Sequence, residues 1–365
     1  MLRELECEDP VKLLFFLVAN WTPLSNPVGA FILQVLPKLQ RLLLNPSNTE
    51  TNALHNAQSH YDTSNSLFAS FLSPDMMYSC ALWKSTAEGG EEESLGEAQI
   101  RKVHNILDKA RIKKEHHVLD IGGGWAFLAI EAVKRTGCRV TATTLSIEQK
   151  ALGEQRVKDA GLEDKIEILL ADYRKTPMPE GGYDRIISIE MLEHVGKQYM
   201  DGYFAAINSM LNPTHGIMVI QGITAIHQLH NNAKSVDNFL DRYIFPGGYL
   251  ASVARLLNAI EVGSKGDLEI ECLQSIGPHY VRTLRSWREN FLKNWPAIRE
   301  EFEESRKGKG DADGKVTEQE VEAWRRRWIY YFSYCEAAFR SGVIGDQVIV
   351  ARRRPAPEEA DGIPM

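Results

Sequence analysis

Between Val118 and Ala126 an apolar run carrying an acid, Val118-Leu119-Asp120-Ile121, breaks into Gly122, Gly123 and Gly124 before Trp125 and Ala126. A strand that turns through glycines into the helical pattern Phe127–Lys134 predicts the first βα turn of a doubly wound α/β sheet. Ligands sit at the carboxyl ends of such strands, where glycine lets the backbone approach them closely. The spacing is not the dinucleotide form. Gly-x-Gly-x-x-Gly would need its third glycine at Phe127, and no Arg or Lys follows to clamp a pyrophosphate. An acid just before the glycines suits a ligand with a cationic end, such as an amino acid's ammonium; the alternative is a structural turn with no ligand.

The pattern continues. Arg139–Leu145 reads as a second strand, closed by Ser146–Gln149 at a helix start, and Lys165–Leu170 as a third, ending in Ala171-Asp172-Tyr173. Tyr183–Ile189 runs into Glu190–Gly196, and Gly216–Ile220 ends at Gln221-Gly222-Ile223. Helical patterns at Ile147–Ala160 and Lys197–Leu211 separate them. Strands alternating with helices at this spacing predict a mostly parallel sheet with right-handed crossovers. Polar or glycine residues follow strands one to four, so one rim of the sheet collects them in a single crevice.

Composition narrows the classes. At 365 residues, one large α/β domain with appended helices is expected. A net charge of −7 with no strongly basic stretch argues against a nucleic-acid partner. Cys7, Cys80, Cys138, Cys272 and Cys335 are scattered, odd in number and without metal-ligand spacing, which fits reduced thiols. Val11–Ala19 is too short to span a bilayer and has acidic residues before it, so neither a transmembrane helix nor a secretory signal is expected. Val28–Leu44, bent at Pro37, either lies on a membrane surface or caps the domain. A cytoplasmic protein, in peripheral membrane contact under the first of these, is the expectation. Asp311–Glu320 imitates an EF-hand loop, but Lys309 stands at its first ligand position, so no metal is expected. Lys307–Gly314 reads as a loop before a helix at Glu318–Arg340, and residues 353–365 as a disordered tail.

Further motifs recur in order: His60-Tyr61-Asp62 with Asn65 and Phe68, Met77–Ala81, Val118–Trp125, Thr144–Ser146 with Gln149, Asp172–Arg174, Glu193–Gly196, Tyr243–Gly248, Tyr280 with Thr283–Trp287, and Tyr334–Phe339. Together they resemble the S-adenosylmethionine-dependent methyltransferases of the cyclopropane-fatty-acid synthase group, which includes mycolic acid methyltransferases and plant alkaloid N-methyltransferases. The resemblance runs from His60 to Arg352. It implies a Rossmann-like methyltransferase with residues 1–95 as helical N-terminal segment and cofactor lid. Residues 96–352 would form the catalytic domain, with a helical substrate-binding insertion at about 225–340. The activity it implies is methyl or methylene transfer to the double bond of an unsaturated fatty acyl chain. The alternative is C- or N-methylation of a small metabolite; a pure binding module fits poorly, because the motif positions are largely intact.

The resemblance also implies roles. Asp120, Gly122 and Gly124 would shape the methionine end of the cofactor site, with Tyr78 and Ser79 folding over it. Strand two ends without a carboxylate, so Thr144, Ser146 and Gln149 would serve the ribose. Asp172 and Tyr173 suit the adenine edge. Ala126 departs from the glycine common there. Cys80, Glu193, Gln221, Ile223 and Tyr280 match positions that hold a bicarbonate base in cyclopropane synthases. Gln221 stands where many of those enzymes carry histidine; an amide can donate hydrogen bonds but holds no proton for transfer, which puts ring closure in doubt. Glu190 replaces a common glycine and gives the Glu190-x-x-Glu193-His194 form of the alkaloid enzymes. Two close carboxylates raise one pKa toward that of a general base and would attract an amine. Alternatively Glu190 faces away to pair with a basic residue, His194 is satisfied by backbone groups, and Cys80 is a plain core residue.

Overall fold

Seven strands form one sheet in the order β3-β2-β1-β4-β5-β7-β6: β1 (His117–Ile121), β2 (Arg139–Thr144), β3 (Ile166–Leu170), β4 (Arg185–Ile189), β5 (Ile217–Ala225), β6 (Leu268–Ser275) and β7 (Ile344–Arg353). The structure is a computed structural model describing residues 7–20, 64–88, 92–226, 239–245, 247–306 and 316–354. Val28–Leu44, His60–Asp62, Lys307–Gly314, Pro246 and the tail from residue 355 lie outside these. β1 to β5 pair in parallel, and β7 runs antiparallel to both β5 and β6.

Period-two alternation divides the strand side chains between two cores. Val118, Ile187, Val219, Val348 and Val350 face one, and Leu119, Ile186, Met218, Ile220 and Ile349 the other. Covered on both faces, the strands read as nearly continuous apolar runs, as parallel strands do. Helices α1 (Pro10–Ala19), α2 (Asn65–Phe71), α3 (Leu95–Ala110), α4 (Phe127–Thr136) and α5 (Ile147–Asp159) precede β3. Then come α6 (Met200–Met210), α7 (Phe239–Tyr243), α8 (Val253–Ser264), α9 (Gly277–Lys293), α10 (Trp295–Ser305) and α11 (Glu318–Arg340). A capping box of Ser94 and Glu97 starts α3, and one of Thr317 and Glu320 starts α11. Glu320, the last position of the EF-hand imitation, therefore serves as a helix cap. The stretch expected as a helical insertion also holds β6, which joins the sheet edge. No helix among the described residues is long and apolar enough to cross a membrane.

Candidate active site

The glycine turn lies where expected, at the end of β1. Gly122 and Gly124 have φ of +78° and +54°, and Ala126 also sits in the left-handed region, at +67°. There glycine would be relaxed and alanine is strained, the structural meaning of that departure. Gly123 is required for space. A Cβ there would stand 2.9 Å from Asp120 Oδ2 and 3.0 Å from Ala142 Cβ, whereas one at Gly124 would meet nothing. Asp120 is buried, and its Oδ2 has no hydrogen-bond partner among the described residues. Burial, opposed by Lys102, pushes its carboxyl up to about 7.

A pocket opens above this turn, and Tyr78, Ser79, Asp120, Gly122, Gly124, Thr144, Ser146, Gln149, Asp172, Tyr173, Glu190 and His194 all line it. The expected cofactor positions are thus gathered in one place. Their roles are more divided than the sequence suggested. Thr144 donates to Gln149 Oε1 at 2.7 Å, and Ser146 caps α5 by accepting from Gln149 N–H at 3.1 Å. Both oxygens of Asp172 are held by Arg174, at 2.8 and 2.7 Å. Burial acts to raise the Asp172 carboxyl, but these bonds outweigh it and hold it low.

The segment carrying Tyr78, Ser79 and Cys80 crosses the pocket as a strap pinned from two helices. On α3, fully buried Gln99 donates to Ser79 O at 2.8 Å and fully buried Lys102 to Ser79 Oγ at 2.7 Å. On α9, Thr283 Oγ1 accepts from Ala81 N–H at 3.2 Å and from Trp83 Nε1 at 3.1 Å. Tyr78 and Tyr331 share a 2.8 Å hydroxyl contact. Asn65 of α2 accepts from Trp125 Nε1 at 2.8 Å, which ties the N-terminal segment to the glycine turn.

Beside the pocket, five chain segments build a carboxyl cluster. Glu190 follows β4 with φ of +49°, a left-handed conformation that costs a side-chain-bearing residue. Its Oε1 accepts from Cys80 N–H at 2.8 Å and from Gln221 Nε2 at 2.9 Å, and its Oε2 from the Tyr280 hydroxyl at 2.5 Å. Glu190 therefore faces the site and pairs with no basic side chain among the described residues. Cys80 contributes its backbone N–H; its thiol is buried among carbonyls, and burial raises it well above the ordinary value. Gln221 Nε2 also donates to Asp346 Oδ2 at 2.8 Å. Register explains this meeting, because Asp346 of β7 lies opposite Ile223 of β5, on the face shared with Gln221. Gly277 lets α9 begin against β7, where a Cβ would stand 2.9 Å from Asp346 N, and Tyr280 follows one turn later.

Burial shifts the titration of the whole cluster. Burial raises the Glu190 carboxyl, against the bonds from Tyr280 and Cys80. Burial and the charge of Glu190 push Glu193 up to about 8; its Oε1 accepts from Ile223 N–H and its Oε2 has no partner among the described residues. Burial pushes His194 down to about 4, so this ring is neutral near pH 7 and carries no positive charge. Lys102 is pushed down to about 8 by burial, against the attraction of Glu190, Asp75, Cys80 and Asp346.

Sequence reasoning missed Gln99, Lys102, Arg174 and Asp346. The signal for the first two was present. In α3 they fall on the same stripe as Ala98, Val103 and Ile106, where an amphipathic helix should carry apolar residues. A second cluster, His116, Asp184 and His215, gathers at the opposite rim with its ligand atoms within 4.8 Å of one another. There His116 Nδ1 accepts from Lys113 N–H at 3.0 Å. With Nδ1 engaged in this way, a neutral ring carries its proton on Nε2 and offers no free lone pair to a metal.

The family model for mycolic acid cyclopropane synthetase matches residues 48–309. The chain is 36% identical to the tuberculostearic acid methyltransferase of Mycobacterium tuberculosis over 82% of its own length and 65% of that protein's. It is 33% identical to the cyclopropane-fatty-acyl-phospholipid synthase of Escherichia coli over 77% of itself and 63% of that protein. It thus spans just under two thirds of these two relatives. The crystal structure of a mycolic acid cyclopropane synthase complexed with SAH and CTAB superimposes with a TM-score of 0.68 at 27% identity, covering 85% of this chain and 99% of that one. With a match over most of its length and a seven-stranded sheet that carries the glycine turn and the Glu193-His194 segment on one rim, the chain belongs to the mycolic acid cyclopropane synthetase family.

Proposed function

We propose that the protein transfers a methyl group from S-adenosylmethionine to a double-bond carbon of an unsaturated acyl lipid, and that Glu190 removes the proton lost afterwards. The pocket fits such a cofactor. Asp120 offers a buried, unpartnered oxygen for an ammonium group, and Gly123 leaves the space beside it that any side chain would fill. Tyr78 and Ser79 would cover the methionine end, Thr144 and Gln149 the ribose, and Asp172 and Tyr173 the adenine edge. Bound there, S-adenosylmethionine supplies an electrophilic methyl group on a sulfonium. Supporting relatives are named for methylation or cyclopropanation of fatty acyl chains, and one solved neighbour holds SAH.

The observation that carries the reading is the Glu190 cradle. Cys80 N–H, Gln221 Nε2 and the Tyr280 hydroxyl, matching positions expected to hold bicarbonate, all donate to the Glu190 carboxylate. The donors that a free bicarbonate would need are occupied, so the reading gives the base to the chain itself. Methyl addition to one alkene carbon leaves a cation on its neighbour. Glu190 then takes a proton from the added methyl group, and the C–H electron pair closes a ring onto the cationic carbon or, where a hydride has first shifted to that carbon from the methyl-bearing one, forms a methylene double bond. In this reading the strap closes over the cofactor and the described residues of 225–340 wall the acyl chain.

The test is incubation of the purified protein with methyl-labelled S-adenosylmethionine and vesicles of an unsaturated phospholipid, followed by mass spectrometry of the released fatty acids. Label should enter the acyl chains, adding the mass of one CH2. Unlabelled acyl chains alongside methylated products from an amine panel would overturn the proposal.

A further inference from the structure

The Gln221 amide nitrogen places one hydrogen on Glu190 Oε1 and the other on Asp346 Oδ2, at 2.9 and 2.8 Å. Two carboxyl groups thus flank a single amide in the interior. Two like charges held that close in a buried site disfavour each other, so one of the two carries a proton. Their surroundings are unequal. Glu190 receives Cys80 N–H and the Tyr280 hydroxyl in addition to the amide. Asp346, fully buried, receives the amide alone, and its Oδ1 has no partner among the described residues. Negative charge belongs on the carboxyl with more donors, and a buried oxygen without any is poorly suited to share it.

We propose that Asp346 keeps a proton at neutral pH, so that the cluster's single reactive charge stays on Glu190. Asp346 is then a positioning residue for the base and touches no substrate. The assignment rests on the proposed role of Glu190 and deepens it.

The neighbouring groups do not all act alike: Glu193 beside the end of β4 disfavours a charge on Asp346, whereas Lys102 on α3 attracts both carboxyls. Cys80 on the strap, Tyr280 on α9 and Tyr331 on α11 complete the titratable surroundings, and burial raises all three well away from ionisation. Burial, then the charges of Glu190 and Glu193, raise the Asp346 carboxyl well above its ordinary range. When Glu190 takes a proton from substrate, the pair holds two protons and no charge; the second proton must leave before the next turnover, while the Asp346 proton stays.

The decisive variants are Asp346→Asn and Asp346→Ala, read by the rising limb of the pH–rate profile. Both replacements are neutral, as the protonated Asp346 is. The limb should therefore move by less than about half a unit in both variants. Were Asp346 ionised, both substitutions would remove a like charge and move the limb downward by more than about one unit, which would overturn the proposal. A second measurement needs neither turnover nor a variant. In protein labelled with carboxyl-13C aspartate, infrared spectra at about pH 9, where Asp120 is ionised, should retain one protonated-carboxyl band that shifts with the label. Absence of that band refutes the proposal even if the acyl-methylation reading stands. Its presence supports the proposal even if that reading falls.

Discussion

Glu190→Gly tests the cradle directly. The substitution removes a carboxylate held by three donors, at 2.8, 2.9 and 2.5 Å. Each such bond to a charged group is worth about 1.5–3 kcal/mol, but the vacated space admits water to the same donors, so most of this is recovered. The left-handed backbone at φ +49° returns a further gain, because glycine relieves about 1–2 kcal/mol of strain there. The fold should therefore survive with a small change in Tm, and the damage should fall on the rate. Loss of a general base predicts a fall of at least about 100-fold. The emptied cradle keeps an N–H, an amide and a hydroxyl aimed at one point, a site for a small oxyanion. Assayed on unsaturated phospholipid in buffer freed of carbon dioxide, the variant should be nearly inactive, and bicarbonate, formate or acetate should restore at least about tenfold, equivalent to about 1.4 kcal/mol. Full activity without any added anion would show that Glu190 is not the base. A folded, cofactor-binding variant that no small carboxylate revives would show that the cradle is misread.

Gly123→Ala should push Asp120 aside, because its Cβ would lie 2.9 Å from Oδ2. Calorimetry should show affinity for S-adenosylmethionine falling at least about tenfold, or about 1.4 kcal/mol, and unchanged affinity in the folded variant would remove Asp120 from the cofactor site. The same residue predicts a pH dependence. Its carboxyl stands at about 7 instead of 3.8, so the folded state holds a proton that the unfolded state releases, and its contribution to stability is lost as pH rises through that window. Cofactor affinity should run the other way, rising up to about pH 7 and levelling above it as the anion forms to meet the ammonium; titrations giving equal affinity on both sides of that value would contradict the pairing.

The parallel half of the molecule was legible because its signals are local. β1 to β4 are short apolar runs ending in glycine or polar residues, and the observed strands match them to within a residue or two. Tyr183, read as a strand start, makes only an isolated bridge to Leu211 before β4 proper begins at Arg185. β5 runs to Ala225, past the expected Ile220, because the antiparallel β7 pairs along its whole length. β6 and β7 were not legible. β6 is a mostly exposed edge strand whose short alternation, Leu268-Glu269-Ile270-Glu271-Cys272, lies within a stretch read as helical, and β7 opens on Ile344-Gly345-Asp346-Gln347, which reads as a turn until its partner is known. The pocket followed from the same local logic, since residues that end neighbouring parallel strands must share a rim. The chemistry beside it did not. Whether Cys80 offers a thiol or an N–H, whether Glu190 faces in or out, and which acid answers Gln221 depend on a left-handed residue, the strap over the pocket and a ladder spanning more than a hundred residues of chain. Residue types and spacing therefore determined the sheet and the crevice. Only the packing of distant segments decided which buried carboxyl holds charge, because that depends on how many donors each one meets.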